Sequence, residues 1–281
     1  MPFLFGVAGE SELPGRALVR LLGDLGLTEA AGRALVARMR RDGQLTGERR
    51  GGRAYYRLAG GTAAGFARIK SDASAGAPEW TGRFHALLYQ VPESERAYRD
   101  ALRRTALLTG YGLLQQGVLI ALTDRSAHLG PLLDPPQGVR LRTAEIAMTD
   151  DEAARAAYDA WDLGTLDAAF AAHAAAMDAA LEPAGGGSGA GAGSGALAAD
   201  AEALRTFNRL LGAALVDTLR APRLPERLQP PGWSLPRLHA AIGKVHRVYG
   251  GPAAAYVRGV LAEEGTPAPS SVQSRWSVPP P

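Results

Sequence analysis

Between Thr28 and Leu58 the chain carries eight arginines (Arg33, Arg38, Arg40, Arg41, Arg49, Arg50, Arg53 and Arg57) against Glu29, Asp42 and Glu48, a local net charge of +5. Guanidinium groups at this density suit one chemistry above others: charge-assisted, often bidentate hydrogen bonding to phosphate oxygens and guanine edges. The charge is confined to this stretch. Residues 1–58 hold ten arginines and six acids, whereas the remainder holds 21 basic and 22 acidic residues, within a net charge of only +3 over 281 residues. A local basic cluster points to a discrete nucleic-acid module rather than a general polyanion coat. The chain has no cysteine, which excludes disulfides and thiolate metal sites. His239 and His246 are seven apart, with no carboxylate at ligand spacing between them. No metal and no cofactor are therefore expected.

The pattern around these arginines predicts the elements that position them. Thr28 is a helix N-cap with Glu29 in the first turn, and Gly43 is the stop. Gly32, Leu35, Val36 and Met39 form the inward stripe. The opposite face carries Ala30, Ala34, Ala37 and Arg41, flanked by Arg33 and Arg38. Small side chains admit close approach to a groove, and flanking arginines reach phosphates or bases. Then two short runs, 45–50 and 53–58, enclose Gly51-Gly52, the signal of a tight hairpin. An upstream stripe of Leu18, Leu21, Leu22 and Leu25, ended by Gly26, predicts a second helix one turn before the first. Helix, turn, helix and basic hairpin compose a winged helix. The DNA-contacting set expected from it is Thr28, Ala30, Arg33, Ala34, Ala37, Arg38 and Arg41 on the helix, with Arg49, Arg50, Arg53 and Tyr55 on the wing. The plain alternative is a solvated amphipathic helix followed by a basic surface loop.

Downstream, a short helix over 62–70 leads to a small, polar linker at 71–79. From Trp80 the pattern reads strand (83–91), helix (93–109), strands 113–116 and 118–122 around Gly117, a short helix (124–133) and a strand (139–148). This β-α-β-β-α-β order is that of a ferredoxin-like sandwich. Its first strand ends Tyr89-Gln90-Val91-Pro92, without the carboxylate that a metal-dependent nuclease would place there. Residues 150–264 read as helical: 151–181 broken near Gly164, a Gly/Ser/Ala loop at 185–195, then 197–219, 235–249 and 253–264. The Gly-rich loop follows a helix, and no Lys-Ser/Thr closes it, so it matches no phosphate-binding pattern. The segment 265–281, rich in Pro and Ser, predicts disorder. The N-terminus has no basic n-region and no apolar run approaches ~18 residues, so a cytoplasmic protein is expected.

Four stretches together resemble the PaaX family of bacterial transcriptional repressors. They are Glu29–Arg33 through Arg38–Gly43 with the wing Gly52–Leu58; Trp80–Phe84 with Val91–Arg96; Ala160–Leu163 with Leu166 and Phe170; and Leu224–Leu228 leading to Pro231-Gly232-Trp233. The resemblance spans roughly residues 4 to 258. It implies an α+β multidomain chain: a winged helix-turn-helix at 1–70, the linker 71–79, a ferredoxin-like middle domain at 80–149, a helical C-terminal domain at 150–264, and the tail. It also implies a homodimeric repressor, not an enzyme. Such a repressor binds double-stranded DNA operators with inverted half-sites and is released by an acyl-CoA effector, such as phenylacetyl-CoA. Residues that could line an apolar, cationic effector pocket are Trp161, Phe170, Arg205, Arg209 and Trp233. The competing expectation is an acyl-CoA-binding protein or enzyme with a vestigial winged helix; a scaffold that reads no ligand is a third.

Overall fold

The computed structural model describes residues 1–74, 79–182 and 197–264. The loop expected at 185–195, the stretch 75–78 of the linker and the tail 265–281 lie outside the described residues. The rest is a mixed α+β chain with one three-stranded and one four-stranded antiparallel sheet. Among the described residues no helix is long and apolar enough to cross a membrane. Contacts group the chain into two units that do not follow chain order.

The first unit joins Met1–Leu58 to Phe170–Leu215 and to the segment from Ser234. It opens with α1 (Pro2–Ala8), β1 (Glu12–Pro14), α2 (Gly15–Asp24), α3 (Glu29–Arg41), β2 (Leu45–Arg50) and β3 (Arg53–Leu58). Helix α2 buries Ala17, Leu18, Leu21 and Leu22, as the leucine stripe requires. Thr28 caps α3: its hydroxyl accepts from the Ala31 amide at 3.2 Å. The helix buries Gly32, Val36 and Met39, while Leu35 is half-buried. At its end Gln44 N–H donates to Met39 O (2.8 Å) and Gly43 N–H to Arg40 O (3.1 Å), with Gly43 at φ 67°. This crossed pair of bonds needs a left-handed residue, hence the glycine. Strands β2 and β3 pair from Leu45↔Leu58 to Arg50↔Arg53, and Gly51 and Gly52 (φ 57° and 77°) close a tight turn of mirror-image type. Strand β1 adds to the far edge of β3, giving the order β1-β3-β2.

The chain's later helices complete this unit. They are α7 (Leu163–Leu181) from Phe170 on, α8 (Ala201–Arg220) as far as Leu215, α9 (Leu235–Val245) and α10 (Gly251–Glu263). A single π-helical segment, His246–Gly250, joins α9 to α10 in one helical run. Helix α10 packs on α1 and α2. Phe3 of α1 meets Phe207 of α8 with ring centroids 5.5 Å apart, and Phe207 meets His246 at 5.9 Å.

The second unit comprises Ala59–Ala169 with Val216–Trp233. Helix α4 (Gly60–Ser74) begins earlier and runs further than the helix expected at 62–70, so the linker starts as helix. It approaches α5 (Arg96–Leu108) through Gly61, where an added Cβ would stand 3.2 Å from Thr105 Cα. The buried Arg68 of α4 donates to the carbonyls of Leu108 (3.2 Å) and Leu219 (2.6 Å), at the C-terminal turns of α5 and α8. A cation there meets the negative ends of two helices. Strands β4 (Arg83–Gln90), β5 (Gly112–Gln115), β6 (Val118–Ala121) and β7 (Arg140–Ala147) form a sheet of order β5-β6-β4-β7. The element order matches the expected sandwich, except that its second helical element is a 3-10 segment, Ser126–Leu133. One sheet face packs Leu87, Tyr89 and Leu119 against Leu102 and Ala106 of α5. Tyr111 is buried in the same cluster, and burial pushes its phenol up to about 12. On the other face Phe84 meets Trp80 (4.7 Å) and Trp161 (6.1 Å). Helix α6 (Asp150–Ala160) starts at a Thr149–Glu152 capping box. It is parted from α7 at Asp162 (φ 49°), two residues before Gly164, near which the break was expected. The helical segment expected at 150–264 is thus divided between the two units.

Two glycines predict opposite responses. A Cβ at Gly32 would meet Leu22 and Val19 at 3.6–3.7 Å, ordinary contact, so Gly32→Ala should stabilise by about 1 kcal/mol through helix propensity. A Cβ at Gly112 would stand 2.7 Å from the Trp161 ring and 2.9 Å from Ala160 O, so Gly112→Ala should lower the melting temperature. Thermal unfolding of the two variants checks both signs. A fragment ending at Asp72 should show no cooperative unfolding by circular dichroism, because it loses the Phe207 partner of Phe3 and the α10 partner of α1.

Candidate nucleic-acid interface

The helix α3 and the β2–β3 hairpin place most of the expected DNA-contacting residues on open surface. Thr28, Ala30, Arg33, Ala34, Ala37, Arg38 and Arg41 are all exposed, on the side of α3 away from Gly32, Val36 and Met39. Arg49, Arg50 and Arg53 are exposed at the hairpin tip, and Tyr55 is half-buried. The strand register divides the tip. Arg49 lies opposite Ala54 and shares a face with the Gly47–Tyr56 pair; Arg50 lies opposite Arg53 and shares the other face with the Glu48–Tyr55 and Thr46–Arg57 pairs.

These arginines are not equivalent. Arg33 is ion-paired to Glu29 one helical turn back. Arg50 is ion-paired to Glu12, and its guanidinium lies 4.4 Å from the centre of the Tyr55 ring. Arg57 donates to the same Glu12 carboxylate at 2.7 Å. Arg40 stands 5.9 Å over the Tyr56 ring. Arg53 donates to the backbone carbonyl of Glu264 at 2.7 Å. The side chains of Arg38 and Arg49 have no hydrogen bond or ion pair among the described residues. They are the guanidiniums most available to an outside anion.

Two positioning residues escaped the sequence reading. Glu12 sits on β1, directly opposite Arg57, only 18% exposed, and gathers two arginines of the hairpin. Tyr56 fills the space that Gly15 and Gly47 leave: a Cβ at either would come within 2.8 Å of its ring. A three-residue strand carries no periodicity, so neither role has a sequence signal.

The five residues expected to line an effector pocket do not assemble in one unit. Phe170, Arg205 and Arg209 belong to the first, and Trp161 and Trp233 to the second. Phe170 is fully buried, whereas Arg205 and Arg209 are exposed. Arg205 donates to Asp24 O at 3.0 Å and pairs with Glu202. Trp161 is core: 7% exposed, with its indole N–H on Gly110 O at 3.3 Å. Trp233 is half-buried. Trp161 borders a cavity of about 20 Å³ with Arg68, Arg125 and Arg223, room for one water. A larger cleft in the same unit, about 600 Å³, is lined by Glu79, Trp80, Pro225, Glu226 and Arg227, none of them in the expected set.

Among the described residues, no group of three His, Cys, Asp or Glu side chains could hold a metal ion. Asp124 stands 3.3 Å from His85 Nε2, within ion-pair range but outside hydrogen-bond geometry.

Comparison with known proteins bears on this surface. A family model described as PaaX-like protein matches residues 5–62, and one described as the PaaX protein central Cas2-like domain matches residues 77–147. The chain is a PaaX-family protein. The first match contains the whole arginine-bearing surface, and the second contains the four-stranded sheet. No curated protein matches the chain. Among solved structures it is similar to the uncharacterized protein Rv0674 from Mycobacterium tuberculosis, with 21% identity and a TM-score of 0.49, over 90% of this chain and 97% of that one.

If Glu12 holds the hairpin, Glu12→Ala should speed amide exchange across 45–58 several-fold. Glu48→Ala, which removes only a 3.8 Å contact to Arg50, should not. Hydrogen–deuterium exchange of the two variants tests the difference.

Proposed function

We propose that this PaaX-family chain is a DNA-binding transcriptional regulator, with α2, α3 and the β2–β3 hairpin acting as a winged helix. The observation that supports the reading best is the placement of Arg38 and Arg49, both exposed and uncommitted. One flanks the alanine face of α3, and the other stands at the hairpin tip on the face shared with Tyr56. In this reading α3 enters the major groove and the hairpin tip follows the phosphate backbone. Ala30, Ala34 and Ala37 let the helix approach base edges closely, with Thr28, Arg33, Arg38 and Arg41 around them. A solvated basic surface has no need of three alanines in register on its outer face.

The finer reading is a repressor that binds as a homodimer to inverted half-sites and leaves its operator when an acyl-CoA binds. One small recognition helix rarely supplies enough affinity or site length alone, which favours the dimer. Family membership supports regulation at the family level.

The test is duplex binding followed across salt concentration. Arg49→Ala should weaken binding to operator and random DNA alike, and flatten the slope of log K against log salt by about 0.9, one phosphate contact. Arg33→Ala should also reduce the preference for operator by about 1–3 kcal/mol if it reads a base. DNA retained by the purified protein supplies the operator. Equal losses on operator and random duplex for both variants would remove Arg33 from base readout; no duplex binding at low salt would sink the reading as a whole.

A further inference from the structure

The end of α10 is fastened to the arginine-bearing surface at several points. Arg53 of the hairpin donates to the carbonyl of Glu264, the residue that caps α10. Glu263 is ion-paired to Arg20 of α2. Two turns earlier, Tyr256 donates to the Asp24 carboxylate at 2.9 Å. The helix therefore lies along α2 and ends at the wing. Its last turn sets the Glu263 carboxylate at Arg20 and the Glu264 carbonyl, at the negative end of the helix, at Arg53. These are the groups that a DNA phosphate would meet at that place.

We propose that the last turn of α10 is an autoinhibitory brake on the DNA-binding surface, occupying Arg53 and Arg20 until a duplex displaces it. The proposal rests on the winged-helix reading and adds its regulation. The geometry makes the occupancy mutual. Glu264 O uses one N–H of Arg53, and the face that Arg53 shares with Arg50 is further neutralised by Glu12. Phosphate binds guanidinium more strongly than a neutral carbonyl does, so DNA wins the contact but must first free it. The two carboxylates repel the duplex until the turn moves away. By linkage, any factor that loosens α10 raises DNA affinity, and DNA loosens α10 by the same factor. The brake therefore places a control point in the chain's last described helix, far in sequence from the wing it acts on.

The test combines binding with hydrogen exchange on the full chain. Glu263→Ala/Glu264→Ala should bind random duplex roughly three- to tenfold more tightly at low salt, with the gain shrinking as salt rises. In an Arg20→Ala/Arg53→Ala background most of that gain should vanish, because both groups that the turn occupies are gone. Independently, saturating wild-type protein with duplex should speed amide exchange in 258–264. An equal gain in both backgrounds means a general charge effect and overturns the brake. So does slower or unchanged exchange of 258–264 on DNA, which would make the turn a support for the bound state. If only the double variant binds duplex, the brake holds in its strongest form. If neither protein binds duplex, the winged-helix reading fails and the brake with it, whereas duplex binding without the α10 response overturns the brake alone.

Discussion

Fifty-eight residues bury only enough apolar surface to hold a helix-turn-helix and a hairpin marginally, and in this protein they do not stand alone. Leu4, Leu13, Leu18 and Leu21 are fully buried, and α1 packs against α10 and against Phe207 of α8. Each large side chain so buried contributes about 1.5–3 kcal/mol relative to exposure. That burial ties the first element of the chain to the last described ones. The first unit is accordingly built from both ends of the sequence, with the segment between them forming the second. The same requirement brings α10 alongside α2, and so sets Glu263 and Glu264 beside Arg20 and Arg53. The electrostatics of the candidate interface follow from how its core is closed.

Those electrostatics are graded. Each exposed ion pair is worth little to stability, on the order of 0–1 kcal/mol, because water and salt screen it. Their effect is on availability. Glu12 occupies Arg50 and Arg57, Glu29 occupies Arg33, Glu264 O occupies Arg53, and Tyr55 holds Arg50 by its ring. An arginine already ordered by a weak partner loses less side-chain entropy when it meets a phosphate. The price is the partner that must be left behind. Arg38 and Arg49 start uncommitted and have the reverse balance.

The local part of this architecture was legible in the sequence. Thr28, Gly43 and the Gly51-Gly52 turn signal through their own backbone requirements, and the stripes of α2 and α3 through a period of 3.6. The strands of the second unit announced themselves as apolar runs bounded by Pro92, Gly110 and Gly117. What failed was non-local. Strand β1 exists because β3 offers it an edge, and Glu12 matters because Arg57 lies opposite. The break before α7 falls at Asp162, in a left-handed conformation asparagine and aspartate tolerate better than most residues, although Gly164 was the more obvious breaker. Trp161 reads as a pocket aromatic until Gly112 is placed beneath it. The five residues grouped for the effector fall in both units, and composition does not say which of two units a helix joins.

Two helices are shared between the units. Helix α8 contributes Phe207 to the first unit and, past Leu215, belongs to the second, where Arg68 takes the carbonyl of Leu219. Helix α7 likewise passes from one unit to the other at Phe170. In the first unit the end of α10 keeps Val260 and Leu261 in the core, while Glu263 and Glu264 beyond them are held by one ion pair and one backbone carbonyl, so those last residues can leave the arginines without opening the core.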